Sequence, residues 1–342
     1  MIVENLFKSI ERGRSGLNSG LSTGFEKLDK LVYGIQRQWM TVWSADSGAG
    51  KSSIVLYSQI YQPFKQHFLD NSVDVHFLLF TFEMSAEVLM AKLLSLYLYE
   101  TYGKVISYGN ILSLGEILSD EDYALIQKAT PWLQEFEKCC EVIDKSVTAK
   151  GLYAITKGFS EKFGKYKVIE ETSEYKKEEY IPNNPEQYLI VVIDHISLLS
   201  ASPGHTIKQE MDEACDYLIH FRNKCSMTIN IVQQLNRNFK TMDRRNSDNS
   251  LIGLEDLGDS SGPTKAAETV IALYYPFREK RSKCEGYDIR QLLEKFRLIQ
   301  ILKNRFGEAD KSFGTCFFGV NGIWKELPKP DQINNYEKYT KL

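Results

Sequence analysis

The sequence predicts an α/β protein built on a mainly parallel central sheet with helices on both faces. Three observations lead there. Five runs, Trp39–Ser44, Val73–Phe82, Tyr188–Asp194, Met227–Val232 and Thr269–Tyr275, are largely apolar, and continuous apolar character marks strands buried on both faces. Stretches of helical period separate them, giving the strand–helix alternation of a parallel sheet. Polar residues Glu83, Asp194 and Gln234 stand at the ends of three successive runs, and the carboxyl ends of parallel strands are where such sheets bind ligands.

Composition narrows the class. The 342 residues can hold one large α/β domain or two small ones, and 43% hydrophobic with 25% charged residues is a globular balance. A net charge of −3 excludes a chain coated in basic residues, so any nucleic-acid contact must come from local patches. Six scattered cysteines contain no C-x-x-C pair, which excludes a zinc ribbon and fits free thiols in a reducing compartment. No apolar run approaches the ~20 residues needed to cross a bilayer, and the N-terminus lacks a signal-peptide pattern. A soluble cytoplasmic protein is expected, in the host cytoplasm if phage-encoded.

The elements follow in order. Val3, Leu6, Phe7 and Ile10 recur at helical spacing over Ile2–Arg12, and Gly13–Gly20 reads as a linker. Residues 1–20 are therefore expected to be a docking helix and linker, seated on its own domain or on a neighbouring subunit. Ser22–Gly34 forms a turn and short helix leading into the Trp39 strand. Ser85 caps the helix after the Val73 strand, and Leu89, Leu93 and Leu96 make its apolar stripe. Ser119–Lys150 reads as helical and Leu152–Phe163 as another helix. Residues 165–187, charged and without apolar periodicity, read as a surface insertion. Helix Ile207–Lys224 precedes the Met227 strand, and Asn238–Lys265 reads as a long mobile loop. Phe296–Lys303 and Gly314–Val320 read as a hairpin-rich edge. The main domain is placed at 21–330, with 331–342 a flexible tail.

The chemistry centres on Ala45-Asp-Ser-Gly-Ala-Gly-Lys-Ser-Ser53. Strand, small-residue loop, Gly-Lys-Ser and helix are the context of a P-loop, although its usual first Gly is Ala45. Ser47, Gly48, Ala49, Gly50, Lys51, Ser52 and Ser53 are the candidate nucleotide-binding residues. The loop's N–H groups would converge on phosphate oxygens, Lys51 would reach the β- and γ-phosphates, and Ser52 would ligand Mg²⁺. A phosphate-bound Mg²⁺ also favours a nearby carboxylate, and Asp194, ending a strand expected beside the P-loop strand, suits that role. Glu83 could polarise the attacking water and Gln234 could sense the γ-phosphate. Glu83 could equally serve as a helix N-terminal acid, and Lys303-Asn-Arg305 as a solvated hairpin tip. The sharper reading of Lys303 and Arg305 is a catalytic finger inserted into a neighbour's ATP site.

Ser22-Thr-Gly-Phe-Glu-Lys-Leu-Asp, the P-loop, Phe82-Glu-Met-Ser-Ala-Glu, Val192-Ile-Asp-His-Ile-Ser-Leu, Gln234-Leu-Asn-Arg and Lys303-Asn-Arg-Phe-Gly occur in this order. The ordered set resembles the RecA-like motor domain of DnaB-type hexameric replicative helicases, of the phage type, over about residues 20 to 327. The resemblance implies ATP and Mg²⁺ as cofactors, Glu83 as catalytic base, Asp194 as Walker B acid, Gln234 as γ-phosphate sensor, and Lys303 and Arg305 acting in trans. It implies single-stranded DNA held by the loops after Asp194 and Gln234, which offer Lys208 and then Lys240, Arg244 and Arg245. It further implies a homo-oligomer, a hexamer, working with a separate primase, loader or polymerase, and no membrane. Against that resemblance, the chain is expected to lack the family's amino-terminal globular domain, and it carries Gly258 where many relatives have Arg. Ile2–Arg12 resembles the family's linker helix. Lys303-Asn-Arg-Phe-Gly also resembles RadA-type and KaiC-type ATPases, which leaves a recombination ATPase open beside the helicase, with a non-motor nucleotide switch as a third reading.

Overall fold

A computed structural model of the chain describes residues 2–171, 176–236, 251–258 and 262–342. The predicted strands form β1 (Met40–Ala45), β2 (Val75–Thr81), β6 (Tyr188–Asp194), β7 (Thr228–Gln234) and β8 (Thr269–Tyr274). With β3 (Cys140–Ile143) they make a six-stranded parallel block in the order β8-β1-β7-β6-β2-β3. An antiparallel edge extends it beyond β8 through β11 (Phe296–Asn304), β12 (Lys311–Phe318) and β13 (Ile323–Glu326), nine strands in all. The two-residue strands β9 (Lys283–Cys284) and β10 (Tyr287–Asp288) pair apart from it.

Alternate residues of the same strands enter two different cores, which is why the runs read as apolar throughout. Phe77, Leu79, Ile190 and Val192 face the first core, with helices α3 (Lys51–Val55), α4 (Gln62–Leu69), α5 (Ala86–Tyr102) and α8 (Thr130–Cys139). Leu78, Phe80, Leu189 and Val191 face the second, with α9 (Ala149–Lys162) and α10 (Ile207–Cys225). Two short helices, α2 (Glu26–Val32) and α6 (Tyr108–Ile111), lead into β1 and follow α5. Truncating a fully buried ring such as Phe80 to Ala costs about 3–5 kcal/mol. α3 runs into α4 through a π-helical stretch, Leu56–Tyr61, buried throughout. Caps act where the sequence places them: Ser85 Oγ accepts from Val88 N, and Thr206 with Gln209 closes a capping box on α10.

Several expectations are corrected. β7 lies between β1 and β6, so Asp194 ends a strand one removed from the P-loop strand. The single helix expected over Ser119–Lys150 is α7 (Asp120–Lys128), α8 and the strand β3; Pro131, lacking an N–H, fits the first turn of α8 and so marks a break. The 165–187 stretch contains a hairpin, β4 (Gly164–Glu171) with β5 (Lys176–Pro182). Tyr166 and Tyr180 turn inward, Tyr166 Oη meeting Ser160 Oγ at 2.7 Å, while Lys167, Glu170, Lys177 and Glu179 face water. The polar face of that alternation hid the strands. The segment after Leu327 folds back: Ile333 is buried, and Tyr336 and Tyr339 pack on the first core. Of the loop expected over Asn238–Lys265, residues 251–258 and 262–265 are described, including a 3₁₀ turn at Leu254–Asp256 and the start of α11 (Gly262–Ala266).

Helix α1 (Ile2–Arg14) leaves its apolar stripe in solvent, with Ile2, Val3, Leu6 and Phe7 each more than half exposed. Arg12 ties it down through a bidentate pair with Glu186, which Arg37 also contacts at 3.0 Å. The Arg12 hydrogen bond leads the effects that hold the Glu186 carboxyl at about 2. With a folded pKa below the ordinary ~4.3, this contact is fully present above that value and is lost as pH falls through about 2. Glu186→Gln is expected to release α1 at neutral pH, read as faster amide exchange and earlier proteolysis within residues 2–14, with the β-sheet amides unchanged.

Candidate functional site

β1 delivers the chain to the loop at Ala45, which is fully buried, pairs with Gln234 and Leu273 across the sheet, and has no left-handed torsion. An alanine therefore serves where the motif usually has glycine. Gly50 is different: its φ is +105°, and a Cβ there would lie 3.2 Å from the Trp324 ring. α3 begins at Lys51, so the N–H groups of its first turn face the loop mouth.

Arg297 fixes the underside of this loop. It is buried, its Nε donates to Ala49 O at 2.5 Å, and its Nη1 donates to the carbonyls of Glu294 and Phe296 at 2.6 and 2.8 Å. Its guanidinium lies 3.4 Å from the centre of the Tyr275 ring. Burial lowers its pKa to about 10, so it remains charged at neutral pH. A second arginine, Arg278, donates to Ser47 O and lies 3.5 Å from Asp46.

Above the loop, the ends of β2, β6 and β7 converge on a cleft of about 340 Å³ lined by Lys51, Ser52, Glu83, Lys92 and Gln234. Ser47, Gly48, Gly50 and Ser53 line it too, whereas the Ala49 side chain is buried beneath. Ser52 Oγ donates to Asp194 Oδ1 at 3.1 Å. Burial raises the Asp194 pKa and lowers that of Lys51. His195 stands between Lys51 and Glu83, its Nε2 3.3 Å from Lys51 Nζ and 3.5 Å from Glu83 Oε1, its Nδ1 3.0 Å from Ser197 Oγ. Burial and then the Lys51 charge lower the His195 pKa, which favours a neutral ring. Its backbone is left-handed at φ +71°, a torsion that costs a non-glycine residue about 1–3 kcal/mol.

Glu83, Asp194, Gln234 and the P-loop residues thus meet. Lys303 and Arg305 do not join them. β11 runs antiparallel to β8, bringing Asn304 level with Thr269 and Thr41, at the opposite end of β1 from the loop. At ~3.3 Å per residue that is at least ~13 Å from Ala45. There Lys303 Nζ donates to Thr264 O and Lys265 O at 3.0 and 2.9 Å. Arg305 Nη1 lies 2.8 Å from Glu268, a buried carboxylate that also holds Arg222 at 2.9 Å. Lys208 is exposed in the first turn of α10, on the segment that leaves the cleft end of β6. Lys240, Arg244 and Arg245 lie outside the described residues. Gly258 rests so close to Gln234 that a Cβ would come within 2.8 Å of its carbonyl oxygen.

Lys92, His195 and Arg297 escaped the sequence reading, and each left a signal. Lys92 is three residues after Leu89 and four before Leu96, placing a cation on an apolar stripe. His195 directly follows Asp194, and Arg297 interrupts the apolar start of β11.

A family model described as DnaB-like helicase C terminal domain matches residues 20–317. The chain is similar to a solved structure described as an ATPase domain, with a TM-score of 0.70 and 18% identity over 96% of this chain and 99% of that one. It is also similar to a DnaB-like replicative helicase described with its interactions with primase, with a TM-score of 0.68 and 19% identity over 95% of this chain and 66% of that one. No curated protein matches by sequence. The fold is α/β and RecA-like. Among the described residues, no helix is long and apolar enough to cross a membrane.

Arg297→Met, which keeps bulk but loses the bond to Ala49 O, is expected to weaken nucleotide binding about tenfold, the size of one charge-assisted hydrogen bond. A fluorescent ATP analogue reads the affinity, and a circular-dichroism melt checks that the fold is retained.

Proposed function

The chain belongs to the DnaB-like helicase C-terminal domain family, and from that premise we propose that it is an ATP-driven helicase motor that assembles as a hexameric ring and moves 5′ to 3′ on single-stranded DNA. The observation that carries this reading is the separation of two sets of residues. Lys51, Ser52, Glu83 and Gln234 line one cleft, with Asp194 held against Ser52, while Lys303 and Arg305 sit at the far end of the sheet, where they cannot serve it. Two half-sites on one chain suit head-to-tail assembly, in which one subunit's far end meets the next subunit's cleft.

Within the cleft, the loop and α3 N–H groups bind the phosphates, and Lys51 leaves His195 for the β- and γ-phosphates. A hydroxyl and a buried carboxylate, Ser52 and Asp194, form an all-oxygen pair that fits Mg²⁺. When bound, Mg²⁺ neutralises charge on the phosphates. Glu83 orients the attacking water and accepts its proton, and Gln234 contacts the γ-phosphate. Lys303 and Arg305 stabilise the departing charge in trans, so hydrolysis depends on assembly. Lys208, with Lys240, Arg244 and Arg245, holds the DNA backbone without regard to sequence. The exposed stripe of α1 docks on the adjacent subunit, and a separate primase, loader or polymerase is a partner of the ring.

ATPase activity is expected to rise with protein concentration and with single-stranded DNA, and forked DNA is expected to unwind without strand exchange. Lys51→Ala should abolish turnover. Arg305→Ala should lower kcat by about 10³ or more while ATP binding is kept. Full-rate hydrolysis by a dilution-stable monomer would sink the trans assignment.

A further inference from the structure

At the far end of the continuous helix that begins at Lys51, outside the cleft lining, three side chains meet that the motor does not use. His67 ends α4, while Glu135 and Cys139 lie four residues apart on one face of α8. His67 Nε2 is 3.4 Å from Cys139 Sγ and 3.9 Å from Glu135 Oε1, and the three donor atoms all lie within 4.8 Å of one another. From this juxtaposition of imidazole, thiol and carboxylate, we propose that His67, Glu135 and Cys139 form a binding site for a borderline-soft divalent cation, of which Zn²⁺ is the best fit.

The distances suit a tetrahedral ion. With Zn–S at about 2.3 Å and Zn–N at about 2.0 Å, the tetrahedral angle sets the S···N edge at about 3.5 Å. The observed 3.4 Å edge needs almost no adjustment. The imidazole to carboxylate edge is longer, 3.9 Å, and closes by a small rotation of the partly exposed Glu135 side chain. One nitrogen, one sulfur and one oxygen leave a fourth position for water on the side where Glu135 meets solvent.

The surroundings orient each ligand. His67 Nδ1 faces the carbonyl of Val73, which can only accept, so the proton belongs on Nδ1 and the Nε2 lone pair faces Cys139. Lys138 holds Glu135 Oε2 at 2.8 Å, leaving Oε1 as the oxygen toward His67. Cys139 is buried, and burial pushes its thiol up to about 11, so without metal it is protonated at neutral pH. Binding converts thiol to thiolate: one S–H bond breaks, one metal–sulfur bond forms, and one proton leaves to solvent for each ion. Borderline-soft ions accept this nitrogen–sulfur set, whereas Mg²⁺ prefers the oxygens of the cleft. The cluster of His205, Glu210 and Glu213 differs, because both Glu210 oxygens already accept from the backbone of Ala149 and Ser202. The ion would clamp α4, the continuation of the P-loop helix, to α8, which leads into the edge strand β3.

The test uses Co²⁺ as a spectroscopic substitute on the full chain after chelator treatment and dialysis. One Co²⁺ per chain is expected, with a thiolate-to-cobalt charge-transfer band in the near ultraviolet that one equivalent of Zn²⁺ removes. The all-oxygen cleft cannot give that band. Cys140→Ser should retain it and Cys139→Ser should abolish it. Glu135→Gln, on a partly exposed side chain that leaves folding intact, should weaken Co²⁺ binding by at least the roughly tenfold that loss of even an outer partner costs. Absence of the band, its persistence in Cys139→Ser, or unchanged affinity in Glu135→Gln would each overturn the site.

Discussion

Lys51 carries a positive charge into a buried position in the wall of the cleft, and the side chains around it are disposed to hold that charge. Burial of an ion costs several kcal/mol, and nearby opposite charges offset that cost only in part. Asp194 and Glu83 supply opposing charge and the His195 ring a neutral acceptor, yet burial outweighs them and lowers the Lys51 pKa. A polyphosphate bound there, as proposed above, would bring several negative charges to the same place. The left-handed backbone at His195 shows that the chain accepts local strain to keep this acceptor in position.

The same constraint explains the sheet order. A lysine on a P-loop can meet three polar strand ends only if those strands lie side by side, and β7, β6 and β2 do, with β7 next to β1. Gln234 therefore arises directly beside the P-loop strand and Asp194 one strand further out. On the underside, Arg297 reinforces the arrangement without entering it. Its bond to Ala49 O fixes that carbonyl, and its stacking on Tyr275 joins the loop to the end of β8.

Much of this was legible in the residues. The double burial of β2 and β6 shows in their unbroken apolar runs, and the polar residues closing β6 and β7 mark the cleft. What stayed hidden depended on long-range packing. β3 is four residues long and follows a helix directly, so its local pattern carries no strand signal that outweighs the helix before it. The β4–β5 hairpin buries only alternate side chains, and the charged partners between them obscured the period. Arg297 and Lys92 are single polar residues among apolar neighbours, His195 sits beside an acid that draws the eye first, and their partners lie up to 248 positions away along the chain. The insertion of β7 between β1 and β6 is a matter of topology and leaves no trace in either strand.

Gly258 shows how a missing side chain can do mechanical work. Its backbone sits directly against the carbonyl of Gln234, and the neighbouring Leu257 bridges to Leu235. A Cβ of any size would act as a spacer and introduce play between the two segments. With none, the joint has almost no clearance, so a displacement of the strand end by a fraction of an ångström must push the facing segment as well. The absence of a side chain at Gly258 thus couples the end of β7 closely to the 251–258 segment.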